Sequence, residues 1–216
     1  MIASNDTTAA TVLHGDCRKL LPTLGKFDFI FADPPFNIGH EYNGYNDRRE
    51  DFEPFTEEWI AACWEACDGV LALHGPDDLM YPYLAAERRL GMRRIAWVNW
   101  HYRFGQCGRS NWIDAKCHCL IFAKHNSHTW NPDAVLVESD RVAYGDKRIH
   151  ETERGGKRLP GTVWGVPSGP YLFWPLIGPR TVRDTAGWLG DTFVDPVWSV
   201  RTRTELVRNS LVVTRF

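Results

Sequence analysis

Phe27-Asp28-Phe29-Ile30-Phe31-Ala32-Asp33-Pro34-Pro35-Phe36 runs from unbroken apolar sequence into an acid, two prolines and an aromatic ring. A strand lying on a half-solvated face alternates apolar with polar residues. This one is apolar on both faces, as in the parallel sheet of an α/β domain. Consecutive prolines cannot continue a sheet ladder, so the strand stops at its carboxyl end. That edge is where open α/β sheets bind ligands.

The chemistry open to these residues is narrow. Asp33 offers a carboxylate and Pro34 a backbone carbonyl, held by the rigid Pro34-Pro35 pair. Both can accept hydrogen bonds from one amino group, and Phe36 offers a face on which a planar ring can stack. An exocyclic base amine is a poor nucleophile because its lone pair is delocalised into the ring. Two acceptors gripping its protons turn the nitrogen toward tetrahedral geometry and expose that lone pair. The same four residues also suit a plain Asp-Pro turn after a core strand. Upstream, Thr11-Val12-Leu13-His14-Gly15-Asp16-Cys17 predicts a strand with a tight exit at Gly15. Asp16 there suits either an acceptor for an amine or the cap of the next helix.

Asp33-Pro34-Pro35-Phe36, continued by Asn37-Ile38-Gly39 and preceded by Gly15-Asp16-Cys17, resembles the DNA amino-methyltransferases. Their signature is Asp, Asn or Ser before Pro-Pro and an aromatic residue. The resemblance implies a Rossmann-like, three-layer α/β domain of the S-adenosylmethionine-dependent methyltransferase type. The catalytic strand comes first and the cofactor strand last, so the order resembles the circularly permuted β class. It further implies transfer of a methyl group from S-adenosylmethionine to the N6 amine of a flipped-out adenine in duplex DNA. Asp at the first motif position favours adenine over the N4 amine of cytosine. Asp33, Pro34, Pro35 and Phe36 would be catalytic. Gly15, Asp16, Cys17, Asp33, Asp195 and Pro196 would bind cofactor.

The likeness fails toward the carboxyl end. Gly190-Asp191-Thr192-Phe193-Val194-Asp195-Pro196 matches the first half of the family's late cofactor segment. Trp198, Val200 and Arg201 then stand where the family has glycines that let backbone approach the methionine half of the cofactor. No acid follows Leu211 to hold the ribose hydroxyls. From about Gly165 the chain departs from the family pattern, as a shifted reading frame or a decayed gene would make it. The competing reading is therefore a catalytically silent relative that keeps the base-binding edge and acts as a DNA-binding protein.

Composition fits one domain over residues 1–216, with 44% hydrophobic and 24% charged residues. No run approaches a membrane span and no secretory leader is evident, so a cytoplasmic protein is expected. Cys17, Cys63, Cys67, Cys107, Cys117 and Cys119 suggest no disulfide framework. Cys117-His118-Cys119 lacks the spacing of a zinc site, and no metal is expected. The net charge of −2 divides unevenly: −8 over residues 1–70 and +6 over 71–216. Residues 141–178 carry Arg141, Lys147, Arg148, Arg154, Lys157 and Arg158 against three acids. A phosphate-facing surface requires such asymmetry, and a solvated loop also displays it.

Punctuation gives the remaining organisation. Helices are predicted over 54–67, capped by Thr56, and over 77–90, ending at Gly91; strands are predicted over 69–73, 95–100 and 118–123. His101-Tyr102-Arg103-Phe104-Gly105-Gln106, followed by Arg109-Ser110-Asn111-Trp112, interleaves aromatics with Arg, Gly and Asn as a nucleotide-gripping loop does. By resemblance Tyr102, Phe104 and Asn111 are candidate base-pocket residues, and residues 126–165 a target-recognition insert. Arg148, Lys157 and Arg158 are its candidate DNA contacts. Double-stranded DNA is the expected partner, with a cognate restriction endonuclease as a further one.

Overall fold

In a computed structural model of the chain, the residues described are 13, 15–42, 45–106, 110, 112–148, 154–165 and 210–214. The predicted strand upstream of Gly15, residues Asn111, Asp195 and Pro196, and the departures at Trp198, Val200 and Arg201 lie outside them.

Asp16 caps helix α1 (Cys17–Leu24) by accepting from the Arg18 amide at 3.0 Å. Strand β1 is Phe27–Asp33 and ends at the prolines as its sequence requires. A small hairpin, β2 (Glu41–Tyr42) and β3 (Tyr45–Asn46), precedes helix α2 (Phe52–Ala66), which runs directly into β4 (Cys67–Gly75). A 3-10 turn at Asp77–Leu79 leads into α3 (Met80–Leu90). Gly91, at φ 59°, closes α3 in the left-handed conformation that glycine adopts without steric cost. The long strands β5 (Arg94–Gln106) and β6 (Asp114–Ala123) follow, then β7 (Val137–Glu138), β8 (Lys157–Arg158), β9 (Val163–Gly165) and β10 (Ser210–Thr214).

Six strands form the central sheet in the order β10-β1-β4-β6-β5-β9. β1 is parallel to both its neighbours, β4 and β10, and β9 is parallel to β5. β6 is antiparallel to β4 and to β5, so the sheet is mixed rather than purely parallel. The expected α/β class stands, with a different division of layers. One face, with Ile30, Ala32, Leu71, Leu73, Leu120 and Phe122, packs against Leu21 of α1, Trp59, Ile60 and Cys63 of α2, and Tyr83 and Ala86 of α3. The other, with Phe29, Val70, Ala72, Val98, Cys119, Ile121 and Trp164, is covered by Val135 and Leu159. Among the described residues that second layer holds 3-10 turns and short strands, with no α-helix. Thr56 does not cap α2: it lies inside the helix, fully buried, and Asp51 holds the cap position. No helix among the described residues is long and apolar enough to cross a membrane.

Gly69 permits the register of β1 on β4. A Cβ placed there would stand 2.0 Å from the Asp28 carbonyl oxygen, where the ladder shifts between Phe27 and Phe29. Gly69→Ala must push the two central strands apart. It should cost at least the ~1–3 kcal/mol typical of overpacking, read as a lower urea midpoint. Gly161→Ala, where an added Cβ meets nothing within 4 Å, should stay within about 0.5 kcal/mol of the parent.

Candidate functional site

The carboxyl ends of β1 and β4 lie side by side, with Ala32 in register with Leu73. This places Asp33 beside His74, whose Nδ1 is 2.8 Å from Asp33 Oδ1. A carboxylate only accepts, so Nδ1 carries the hydrogen. The imidazole is enclosed by aromatics: Phe31 stacked at 6.2 Å, Trp100 tilted at 5.7 Å, and Phe36 edge-on at 6.0 Å between ring centroids. Its Nε2 is buried without a hydrogen-bond partner. Burial alone would push this imidazole down; the bond to Asp33, with help from Cys117, outweighs it and carries the group up to about 9. Asp33 keeps some access to solvent, with its side chain 22% exposed.

Pro34 is buried, and Pro35 and Phe36 are half-buried. Phe36 leans on the helix-side core while touching His74. The loop beyond it is held by side chains rather than by regular structure. Asn37 takes φ 59°, which asparagine tolerates better than most residues, and its Oδ1 accepts from the Arg49 amide at 2.7 Å. Asp47 is 1% exposed and gathers three amides: Gly39 at 2.7 Å, His40 at 2.8 Å and Ile38 at 3.3 Å. A carboxylate satisfied by three backbone donors fixes the loop's path.

The Gly15-Asp16 segment reaches the same neighbourhood through Phe55. Arg18 lies over one approach to that ring at 4.7 Å and Arg49 over another at 4.1 Å. Asp16 pairs with Arg18 at 2.7 Å, and Arg18 continues to Glu58 at 2.5 Å. The Asp16 carboxyl is held below its usual range, chiefly by the Arg18 side chain. Gly15 is exposed. The Cys17 thiol is buried in the helix-side core and pushed up to about 12 by that burial, so its side chain packs there.

Past Asn99, β5 and β6 run on beyond the end of β4, since Gly75 is the last β4 residue paired to β6; β9 stays on β5 as far as His101, and among the described residues a two-stranded arm continues from there. Tyr102 belongs to this arm; its hydroxyl donates to the Lys116 carbonyl at 3.2 Å and lies 3.8 Å from Cys117 Sγ. Phe104 is a β5 residue whose side chain lies outside the description. Trp112 is 92% exposed at the arm's far end, with Ile113 exposed beside it. At the arm's base Trp97 Nε1 donates to His118 Nδ1 at 3.0 Å, so His118 Nε2 carries the hydrogen toward Asp77 at 2.5 Å. Lys116 pairs with the same carboxylate and, with His118, holds it below its usual range. This array ties the turn after β4 to the arm.

The candidate DNA contacts lie on the other layer. Arg148 pairs with Asp146 at 2.7 Å and Arg158 with Asp140 at 2.7 Å, while Lys157 is exposed on β8. No cluster of His, Cys, Asp or Glu suited to a metal ion occurs among the described residues. Sequence reasoning missed His74 and Asp47. The signal for Asp47 was an acid soon after an Asn-Ile-Gly turn. His74, at the end of an apolar strand, is the polar residue a buried strand carries only for a reason.

A sequence model described as MlaA lipoprotein matches residues 150–216. The chain is 27% identical over 183 residues to DNA adenine methyltransferase YhdJ of Escherichia coli (strain K12), an alignment covering 76% of this chain. It is 28% identical over 142 residues to Type II methyltransferase M.HpaI of Haemophilus parainfluenzae, covering 63% of this chain. The chain spans 60% of the length of the first relative and 43% of the second. Among solved structures, the M1.HpyAVI–SAM complex aligns at 14% identity and a TM-score of 0.40, over 59% of this chain and 58% of that one. The similarity of this sequence is thus to DNA methyltransferases over much of its length, and to the MlaA lipoprotein family toward its end.

Proposed function

We propose that this protein is an S-adenosylmethionine-dependent DNA methyltransferase acting on the N6 amine of adenine. The observation that carries the reading is Asp33, fixed by one oxygen at the carboxyl end of a central strand and followed at once by Pro34, Pro35 and Phe36. Asp33 Oδ2 and the Pro34 carbonyl are the two acceptors for the amine's protons. Phe36 is the ring against which an extruded base stacks, since a base within a duplex cannot reach such a site. The kinship with YhdJ and M.HpaI supports the same chemistry. Duplex DNA is the partner this reading requires, with residues 126–165 as the segment that reads the target and a restriction endonuclease as the functional counterpart.

Asp16 bears on the fit of the cofactor. Its carboxylate receives three donors of Arg18. An ionised carboxylate offers roughly four lone-pair sites, which leaves about one for an amine or hydroxyl. Gly15 and Asp16 would therefore hold the adenosine end. S-adenosylmethionine supplies, when bound, an electrophilic methyl group. Asp33 grips the amine and exposes its lone pair, while Phe31, Phe36 and Trp100 enclose the His74 ring that holds the acid.

A second reading, a catalytically silent DNA-binding relative, draws on one specific observation. Residues 150–216, where the family's late cofactor segment would stand, match the MlaA lipoprotein model. Calorimetric titration with S-adenosylmethionine decides between the two. A dissociation constant in the low micromolar range, roughly −8 kcal/mol, is expected of the enzyme. No measurable heat at millimolar cofactor favours the silent relative.

Asp33→Ala should abolish methyl transfer from labelled cofactor while leaving cofactor affinity within a few fold, as for an interaction used in the transition state. Full activity in that variant would remove the central claim. Phe36→Ala should weaken productive DNA binding by about 1–3 kcal/mol and Phe36→Trp largely preserve it. Equal activity of the two would reduce Phe36 to core packing.

A further inference from the structure

The mechanism above uses Asp33 but gives no work to the residue that holds it. His74 lies on the neighbouring strand, 41 residues further along the chain, with its Nδ1 on Asp33 Oδ1. Its own carbonyl accepts from the Tyr83 hydroxyl at 2.9 Å, so α3 anchors the backbone from which the ring projects. Phe31, Trp100 and Phe36 then fix the ring itself. The outer torsion of an aspartate is broad and nearly two-fold, so an unheld carboxylate samples many planes. Asp33 is held in one.

We propose that His74 is a positioning residue for methyl transfer, fixing Oδ1 of Asp33 so that Oδ2 alone faces the target amine. The proposal rests on the methyltransferase reading. The same imidazole also meets the edge of Phe36, so one side chain sets both the acceptor and the stacking ring. Burying an ionisable ring costs desolvation that an apolar residue between Phe31 and Trp100 avoids, so the use of the imidazole at this site is its hold on Asp33.

The titratable groups facing the ring are Asp33 from β1 and Cys117 from β6. Cys119, in register with His74 across β6, and Tyr83 from α3 are both buried and held protonated by that burial. Tyr102 reaches the group through Cys117. Burial opposes the charged imidazole while the carboxylate, and after it Cys117, favour it; burial is the largest of these, so removing the carboxylate should reverse the direction of the shift.

Two measurements on the full chain test this. Imidazole nitrogen NMR, with His74 assigned by the signal lost in His74→Phe, should give a titration midpoint near 9 in the parent. In Asp33→Asn the midpoint should fall below the ordinary value of about 6.5. A midpoint near the ordinary value in both proteins overturns the hold on Asp33. In single-turnover methyl transfer, His74→Phe keeps the aromatic packing and loses the donor. It should slow the rate about 10- to 100-fold, with DNA and cofactor affinities within about twofold. His74→Asn, whose amide can stand where Nδ1 stood, should recover most of the rate. A His74→Phe rate equal to the parent, or a folded His74→Asn as slow as His74→Phe, overturns the positioning role. A parent chain that transfers no methyl group while His74 titrates near 9 overturns the methyltransferase reading instead, with the hold on Asp33 intact.

Discussion

A proline cannot donate to a sheet ladder, and two in succession end a strand wherever they fall. In this protein they fall directly after Asp33, in a strand paired along both edges. The carboxylate therefore emerges where the ladder stops, between the ends of β10 and β4, and cannot be carried further into the sheet. Everything else at this edge is arranged around that fixed exit. Asn37 and Asp47 steer the loop away, His74 takes one oxygen of the acid, and the β5–β6 arm overhangs the edge from the far side.

The two faces of the sheet carry different loads. The helix side is an ordinary apolar core, with Trp59 packed edge-on to Tyr83 and Cys63 sealed beneath. The opposite side is apolar only over its lower half, from Phe29 to Val98 and Ile121. Toward the carboxyl edge the same face turns to Asp33, His74, Trp100 and Cys117. Side chains alternate along a strand, so Phe29, Phe31 and Asp33 must share that face, and their neighbours on β4 and β6 follow. The change from packing to chemistry occurs within two residues of each strand.

Local patterns made most of the architecture legible in the sequence. β1, α2, α3 and the cores of β4, β5 and β6 announce themselves through unbroken apolar runs, helical spacing and Gly91. What escaped depends on partners far along the chain. Nothing near Gly69 says that the Asp28 carbonyl will lie against it, and nothing near His74 names Asp33. The sense of β6 escaped for the same reason, since an apolar run does not say which way its neighbour runs. Thr56 misled because a hydroxyl near a helix start suits a cap, whereas the helix begins earlier and buries it. Of the site, the Asp33–Phe36 half was legible because its chemistry is contiguous. The half built by Asp47, His74 and Trp100 was not.

The carboxyl-terminal stretch follows from the same geometry. β1 has two edges; one holds β4, and the other is taken by Ser210–Thr214, with Thr214 in register with Asp33. The MlaA lipoprotein model matches residues 150–216, the stretch that holds β10. Asp33, Pro34, Phe36 and His74 stand on β1, β4 and the loop to Asp51, and β10 from the carboxyl-terminal stretch completes the edge beside Asp33. The strand that carries the Asp33–Phe36 motif thus takes one neighbour from before residue 150 and one from after it, so this edge is built from both parts of the chain.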